Sequence, residues 1–284
     1  MAKARAIIKR RRSVQNIHKI TRTMQLIATA RFQKAFNRTV AGKPYTAKLM
    51  EMVSNIARYA SVRHPLIAEP KEVRKVALLT LTSNRGLAGG YNSNILHRSQ
   101  VFSAEQGEQG RQVLYDVVGK KGHAYLKFLG VKIENYFKLP DEPSYAQVVE
   151  LADRYMDLFT RGEVDRVYVS YMQFHSTSKQ SPDLLQLLPL RMEMAAEAAP
   201  TKWHYEFEFT PAAGDLLMAL LPEAVKVVLY QCFRDAAVSE HAARMVAMKA
   251  ATDNAEEMIK LLTRQANKAR QAQITRELSE LIGG

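Results

Sequence analysis

The chain of 284 residues is short of cysteine: Cys232 stands alone, so no intramolecular disulfide framework and no multi-cysteine zinc site can form. No apolar run reaches eighteen residues, the length that would predict a membrane-crossing helix. The usual catalytic signatures are missing too. There is no HExxH, no GxSxG elbow, and no pair of the seven histidines (His18, His64, His97, His123, His175, His204, His241) spaced i, i+4 on one helix. These gaps argue against zinc hydrolysis and against serine hydrolysis on an α/β-hydrolase elbow.

The most telling shortage is of acid. Residues 1–50 hold thirteen Lys and Arg and no Asp or Glu; the first carboxylate is Glu51. With 41 basic and 28 acidic residues overall, the remainder carries 28 of each, so the whole net +13 belongs to this one segment. A cationic stretch of that kind repels itself and calls for an acidic partner: phosphate, anionic lipid or carboxylates on a protein. It also has the composition of a mitochondrial transit peptide. Its few serines and a helical pattern running past residue 35 favour a permanent element instead.

Between residues 4 and 36, apolar or small side chains at 7, 14, 17, 20, 24, 27, 28 and 35 predict one stripe of a long helix. Residues 48–59 continue it after an interruption expected at 42–44, where Gly42 and Pro44 stand. A helix over 3–59 would reach on the order of 85 Å at ~1.5 Å per residue. At the other end, positions 241, 245, 248, 252, 255, 259, 262, 266, 269 and 273 alternate steps of four and three for more than four heptads. Pro222 suits a first helical position, so residues 211–221 are expected to form a separate short helix. The simplest arrangement is an antiparallel coiled coil of segments 1–60 and 211–284.

Residues 70–210 read as an inserted α/β domain. The runs VRKVALLTLT, RQVLYDVV, VKIENYFKL and DRVYVSYMQF predict strands, with helices between them at 93–105, 122–129 and 145–161. DLLQLLPL and KWHYEFEF are candidate edge strands. The fold class is therefore α/β: a long antiparallel coiled coil of the N- and C-terminal helices carrying an inserted α/β domain with a parallel sheet.

One stretch imitates a nucleotide site. SNRGLAGGYNSN (83–94) follows a strand and leads into a helix, the setting of a phosphate-binding loop. Its glycines at 86, 89 and 90 fit neither the Walker spacing, which also needs a lysine, nor GxGxxG. VVGKKGH (117–123) fails as well, with Leu114 where the Walker glycine belongs and Lys121 where Ser or Thr belongs. A tight strand-to-helix turn needing positive φ explains the glycines better. The methionines Met24, Met245, Met248 and Met258 read as seam packing.

Two segments carry a specific resemblance. SEHAARMVAMKAATDNA (239–255) with RQANKARQAQITRELSELIGG (264–284) resembles the C-terminal helix of the γ subunit of ATP synthase. Ile274, Thr275, Glu277, Glu280 and Gly284 fill that family's signature in order. SVQNIHKITRTMQLIATARFQKA (13–35) is similar to its N-terminal shaft helix, and RGLAGGYN to its internal RGLCGG loop, with Ala88 in place of Cys. The resemblance covers essentially the whole chain and is looser over 95–205.

It implies a long antiparallel coiled coil with an inserted Rossmann-like α/β domain, a rotor shaft with no catalytic residue, cofactor or metal of its own. The partners implied are the α and β subunits of a catalytic hexamer, the ε subunit and a membrane ring of c subunits. Neither nucleic acid nor direct membrane insertion is implied. The setting implied is the cytoplasmic side of a bacterial plasma membrane, held peripherally. By position in the family's motifs, Lys19, Arg22, Met24, Arg85 and Arg244 would meet the β levers. Arg270, Gln271, Thr275 and Glu277 would contact β near the upper shaft, and Trp203, Tyr205 and Glu208 would form a foot toward the ring. The chain departs at Gln25 and at Thr29, Ala30, Arg31 and Phe32 from the commoner EMVAASKM-like run. The Ala and tail that follow the signature glycine are missing after Gly284, which gives the expectation of a shortened tip. With one cysteine, a dithiol switch is excluded. Charge alone leaves a basic coiled-coil protein that grips a nucleic-acid duplex as the alternative, and the glycine loop a nucleotide-binding enzyme.

Overall fold

The computed structural model describes residues 2–59, 64–191 and 212–283. Two helices dominate it: α1, Ala2–Tyr59, and α5, Ala213–Ile282. At ~1.5 Å per residue they reach roughly 87 and 105 Å. They run side by side, joined by a seam from which all ten predicted α5 positions take a buried or half-buried place.

The seam of α1 differs from the expected stripe. Val14, Ala28 and Ala35 are buried as expected, but Ile17, Ile20 and Ile27 are 51%, 59% and 52% exposed. The inward positions step by four and three through Ile7, Arg11, Val14, His18, Thr21, Gln25, Ala28, Phe32, Ala35 and Thr39. To face a heptad partner, α1 must follow the same period, and that period turns the three isoleucines outward. Polar seam residues are tolerated because they find partners: Thr252 donates to Thr21 across the seam at 2.9 Å.

Neither expected break occurs. Pro44 and Pro222 lie inside continuous helices. A mid-helix proline costs about 3 kcal/mol through its missing N–H and its clash with the preceding turn. Burial on both sides outweighs that cost: Thr39, Leu49 and Val53 flank Pro44, and Leu217, Leu221, Ala224 and Val225 flank Pro222.

Between the long helices lie β1 (Lys75–Leu81), α2 (Tyr91–Glu108), β2 (Gln112–Val118), α3 (Lys120–Phe128), β3 (Ile133–Phe137), α4 (Tyr145–Thr160), β4 (Arg166–Phe174) and β5 (Gln180–Leu188). The sheet order is β3-β2-β1-β4-β5, parallel except for β5, which pairs antiparallel with β4 at the edge. All but the first residue of central β1 are buried, as expected for a strand covered on both faces. On one face Val76 and Leu78 pack with Phe102 of α2 and Leu126 of α3. On the other, Leu79 and Val169 share a core with Tyr155 of α4, with Leu49, Val53 and Ile56 of α1, and with Leu217, Leu221 and Leu229 of α5. The lower shaft and the sheet are thus one core.

One stretch of α5 is long and apolar enough to cross a membrane by length and composition, at mean hydropathy 1.6, and half of it is buried in the protein. A helix packed into a protein core passes that test as well. KWHYEFEF lies outside the described residues, as do Trp203, Tyr205, Glu208 and Gly284.

Candidate functional site

The glycine loop leaves β1 and enters α2, as its sequence suggests, and Ser83 and Asn92 tie its two ends together. The Ser83 amide donates to Asn92 Oδ1 at 2.9 Å, and the Ser83 hydroxyl donates to the Arg85 carbonyl at 2.6 Å. Asn92 Nδ2 donates back to Ser83 Oγ at 2.8 Å. Positive φ falls on Gly89 (+55°) and on a residue the sequence gave no reason to suspect, Leu87 (+64°), which is 62% exposed. A Cβ on Gly89 would lie 3.7 Å from that of Ala247, so the glycine brings the loop close to α5.

In an open α/β sheet, ligands bind outside the carboxyl ends of the strands, where the strand order reverses. Here that point lies between β1 and β4, and α5 fills it. Ser239 donates to the Met172 carbonyl at the end of β4 (3.1 Å), and Tyr91 donates to the Ala236 carbonyl (3.2 Å). Ala88, Tyr91, Ile95 and Met172 close around Ala243. The crevice of a nucleotide-binding fold is occupied by the protein's own shaft. Among the described residues no cluster of three His, Cys, Asp or Glu could hold a metal.

Arg244 is 8% exposed and works inside the molecule. Its Nη2 donates to Glu240 at 2.7 Å and reaches the Arg85 and Gly86 carbonyls at 3.4 Å. Glu240 is 4% exposed, and burial pushes its carboxyl up against the downward pull of Arg244. Arg85 is largely exposed, with Nε 3.6 Å from Asp141 Oδ2. Asp141 and Glu142 also receive Arg31 (3.9 Å) and Arg38 (2.9 Å) from α1. His241, 1% exposed, lies 3.6 Å from Glu142 through Nε2, while its Nδ1 has no hydrogen-bond partner. Its pKa is lowered by burial first and by Arg244 next. Sequence reading passed over Asp141, Glu142, Glu240 and His241 as site residues. The only available signal was an acid pair between two prolines, in a chain whose first fifty residues lack acid.

The other candidates stand apart from this group. Lys19 and Arg22 are exposed on α1, Arg22 within 3.3 Å of Gln25, and Met24 is half-buried. Lys9, Arg10, Arg12, Lys19 and Arg22 form no ion pair among the described residues. Arg270, Gln271, Thr275 and Glu277 are exposed on α5, about 39 to 50 Å beyond Arg244 at ~1.5 Å per residue. The Thr275 hydroxyl donates to the Gln271 carbonyl (3.0 Å), and Gln273 donates to Glu277 (2.8 Å). Arg270 lines a groove of about 300 Å³ with Arg5, Arg11, Asn267 and Gln273. Arg11 Nε has no hydrogen-bond partner there.

Fold and site together define a coiled-coil shaft that carries an α/β unit and fills that unit's ligand crevice with itself. A family model described as ATP synthase matches residues 3–284. The ATP synthase gamma chain of Rhodopirellula baltica is 43% identical over 100% of this chain and 98% of its own. That of Acidothermus cellulolyticus is 40% identical over 100% and 96%. The chain belongs to the ATP synthase gamma-chain family. Its fold is similar to that of a chain in the Euglena gracilis mitochondrial ATP synthase rotor, with a TM-score of 0.66 at 18% identity over 96% of this chain and 99% of that one.

Proposed function

We propose that this chain is the central rotor shaft of an ATP synthase. It passes rotation of a membrane c-ring to the β-subunit catalytic sites of an α/β hexamer. Its division would be a shaft of residues 1–60 and 211–284 bearing an inserted domain at 70–210. The observation that carries the reading is the continuous seam between the two ends, in a chain whose full-length relatives are named gamma chains. Under it the chain has no catalytic role of its own, binds the ε subunit, and works at the cytoplasmic face of a bacterial plasma membrane. The duplex-binding alternative has no support in the relatives or the fold.

The unpaired cations of the upper shaft, Lys19 and Arg22 above all, face acidic levers on β. Arg85 shares that task while tethered to Asp141. Arg270, Gln271, Thr275 and Glu277 meet β near the tip, and Met24 lies against the levers. Trp203, Tyr205 and Glu208 form the foot. Arg244 acts indirectly, by holding the glycine loop. Each exposed ion pair contributes only ~0–1 kcal/mol, so the attraction is spread thinly around the shaft and no single angle traps it.

Reconstitution decides the matter. Mixed with α and β subunits, the chain should complete a six-plus-one complex and raise ATP hydrolysis; a chain that does neither is not this shaft. Neutralising Lys19 and Arg22 together should lower the torque transmitted under load, and unchanged rotation under load refutes their role.

A further inference from the structure

The loop between β3 and α4 reads Leu139, Pro140, Asp141, Glu142, Pro143, Ser144. A proline on each side of the acid pair fixes the backbone. Ser144 then opens α4 with a capping box completed by Gln147, so the loop is anchored at its far end to a helix that packs on α5. At its near end Asn84 Nδ2 donates to both the Leu139 carbonyl and Asp141 Oδ1, each at 3.0 Å.

Basic side chains from three separate elements converge on this stiff dipeptide, the arginines charged and the buried His241 imidazole held toward its neutral form. Arg31 and Arg38 reach it from α1 at 3.9 and 2.9 Å, Arg85 from the glycine loop at 3.6 Å, and His241 from α5 at 3.6 Å. Asp141 is 18% and Glu142 32% exposed at the side chain, so solvent screens these pairs only in part. The contacts sit beyond the main apolar core, beside a smaller cluster in which Phe32 and Ala35 of α1 pack with Phe174 of β4 and with Val238 and Ala242 of α5. Interdigitated apolar packing already resists sliding of the unit on the shaft. Directional polar contacts at a distance from that core add to the resistance against a twist of the inserted unit about the shaft.

We propose that the pair Asp141 and Glu142 is a torsional clasp that locks the inserted α/β unit to both shaft helices, so that rotation applied to one reaches the other without slip. The proposal rests on the shaft reading given above. The two acids are positioning residues: they touch no reacting group and act through the rigidity of the joint.

The test uses the chain assembled with α and β subunits on a surface. A bead is coupled through Phe128→Cys, a site 85% exposed on the inserted unit, whereas the native Cys232 is buried. Angular fluctuation of the bead in the stalled complex reads torsional stiffness, since variance rises as stiffness falls. Asp141→Asn combined with Glu142→Gln keeps the shape and should widen the variance at least about twofold as the polar network is cut. Arg38→Gln, at an exposed side chain that leaves the core intact, should widen it in the same direction, and Arg38→Lys should restore it. Thermal unfolding of the variants should stay within a few degrees of wild type, which separates loosened coupling from lost structure.

A wild-type bead that does not turn with ATP overturns the shaft reading, and the clasp with it. A turning wild type with variants equally stiff overturns the clasp alone, as does widening accompanied by melting of the inserted unit. If the double variant does not assemble, Arg38→Gln against Arg38→Lys decides.

Discussion

Arg244→Ala should destabilise the protein far more than loss of a surface charge. Arg244 and Glu240 are 8% and 4% exposed and 2.7 Å apart. At an effective dielectric of about 20, their attraction is on the order of 6 kcal/mol, which offsets several kcal/mol of desolvation for each ion. Removing the arginine keeps the desolvation of Glu240 and loses its compensation, at about 3–5 kcal/mol. For a chain of this size that is a fall in Tm on the order of 10 °C. Protonation of the orphaned carboxyl limits the loss. Its folded pKa is already raised by burial and would rise further without Arg244. A raised folded pKa leaves stability intact below the unfolded value and erodes it as pH climbs toward the folded one. The deficit should therefore be clearly smaller at pH 5 than at pH 8. Urea unfolding followed by circular dichroism reads both quantities. Glu240→Gln combined with Arg244→Met should recover to within about 1 kcal/mol of wild type. A single-variant deficit below about 1 kcal/mol, or one identical at the two pH values, would mean that Arg244 is not buried against Glu240 and is free to face a partner subunit.

Four other outcomes are expected. His241 has a lowered folded pKa, through burial, Arg244 and Arg31, against the opposing pull of Glu142 and Asp141. Its contribution is present above the reference value of 6.5 and is lost as pH falls below it; in His241→Asn the urea midpoint should vary less between pH 7 and 5.5. Gly119 has φ +94°, and a Cβ there would run into the Thr82 carbonyl, so Gly119→Ala should cost more than about 4 kcal/mol and abolish soluble expression. Gly107→Ala, in open space on α2, should be neutral or stabilising by up to about 1 kcal/mol in the same expression and unfolding assays. Pro44→Ala should raise stability by about 1–3 kcal/mol in thermal unfolding, since an exposed proline interrupts an otherwise continuous helix.

Periodicity made α5 legible because its heptad is carried by small and apolar residues that have no competing pattern. It misled on α1, where Ile17, Ile20 and Ile27 draw the eye and the true inward line passes through Arg11, His18 and Thr21. Which face of a helix is buried depends on its partner, and a single helix does not contain that information. The prolines misled for a related reason: local chemistry predicts a break, while burial of Leu49, Leu221 and their neighbours outweighs it. The strand-and-helix run of the inserted unit was readable, with its order left open. Arg244 and Glu240 sit four apart on α5, a pairing that spacing alone allows. Nothing in the sequence puts Glu142 beside Arg38, 104 positions away, or His241 beside Glu142.

The strand, glycine turn and helix at 75–108 have the geometry of a phosphate site and are put to another use. A phosphate site keeps its crevice open. Here Ser83 and Asn92 bond to each other, Arg244 reaches the Arg85 and Gly86 carbonyls, and α5 enters the crevice and donates through Ser239 to the end of β4. An α/β sheet whose carboxyl edge is sealed by a helix of about 105 Å has no free place for a small ligand at that edge, but it has a continuous grip on the helix. The acid pair at 141–142 extends the grip to α1 with directional contacts that the apolar core lacks. The acid-free N-terminal segment thus divides by height. Arg31 and Arg38 find carboxylates within the molecule, whereas Lys9, Arg10, Arg12, Lys19 and Arg22 find none among the described residues. The lower cations bind the shaft to its inserted unit, and the upper ones leave the shaft's need for an acidic partner standing, which is the place the proposed α/β hexamer would fill.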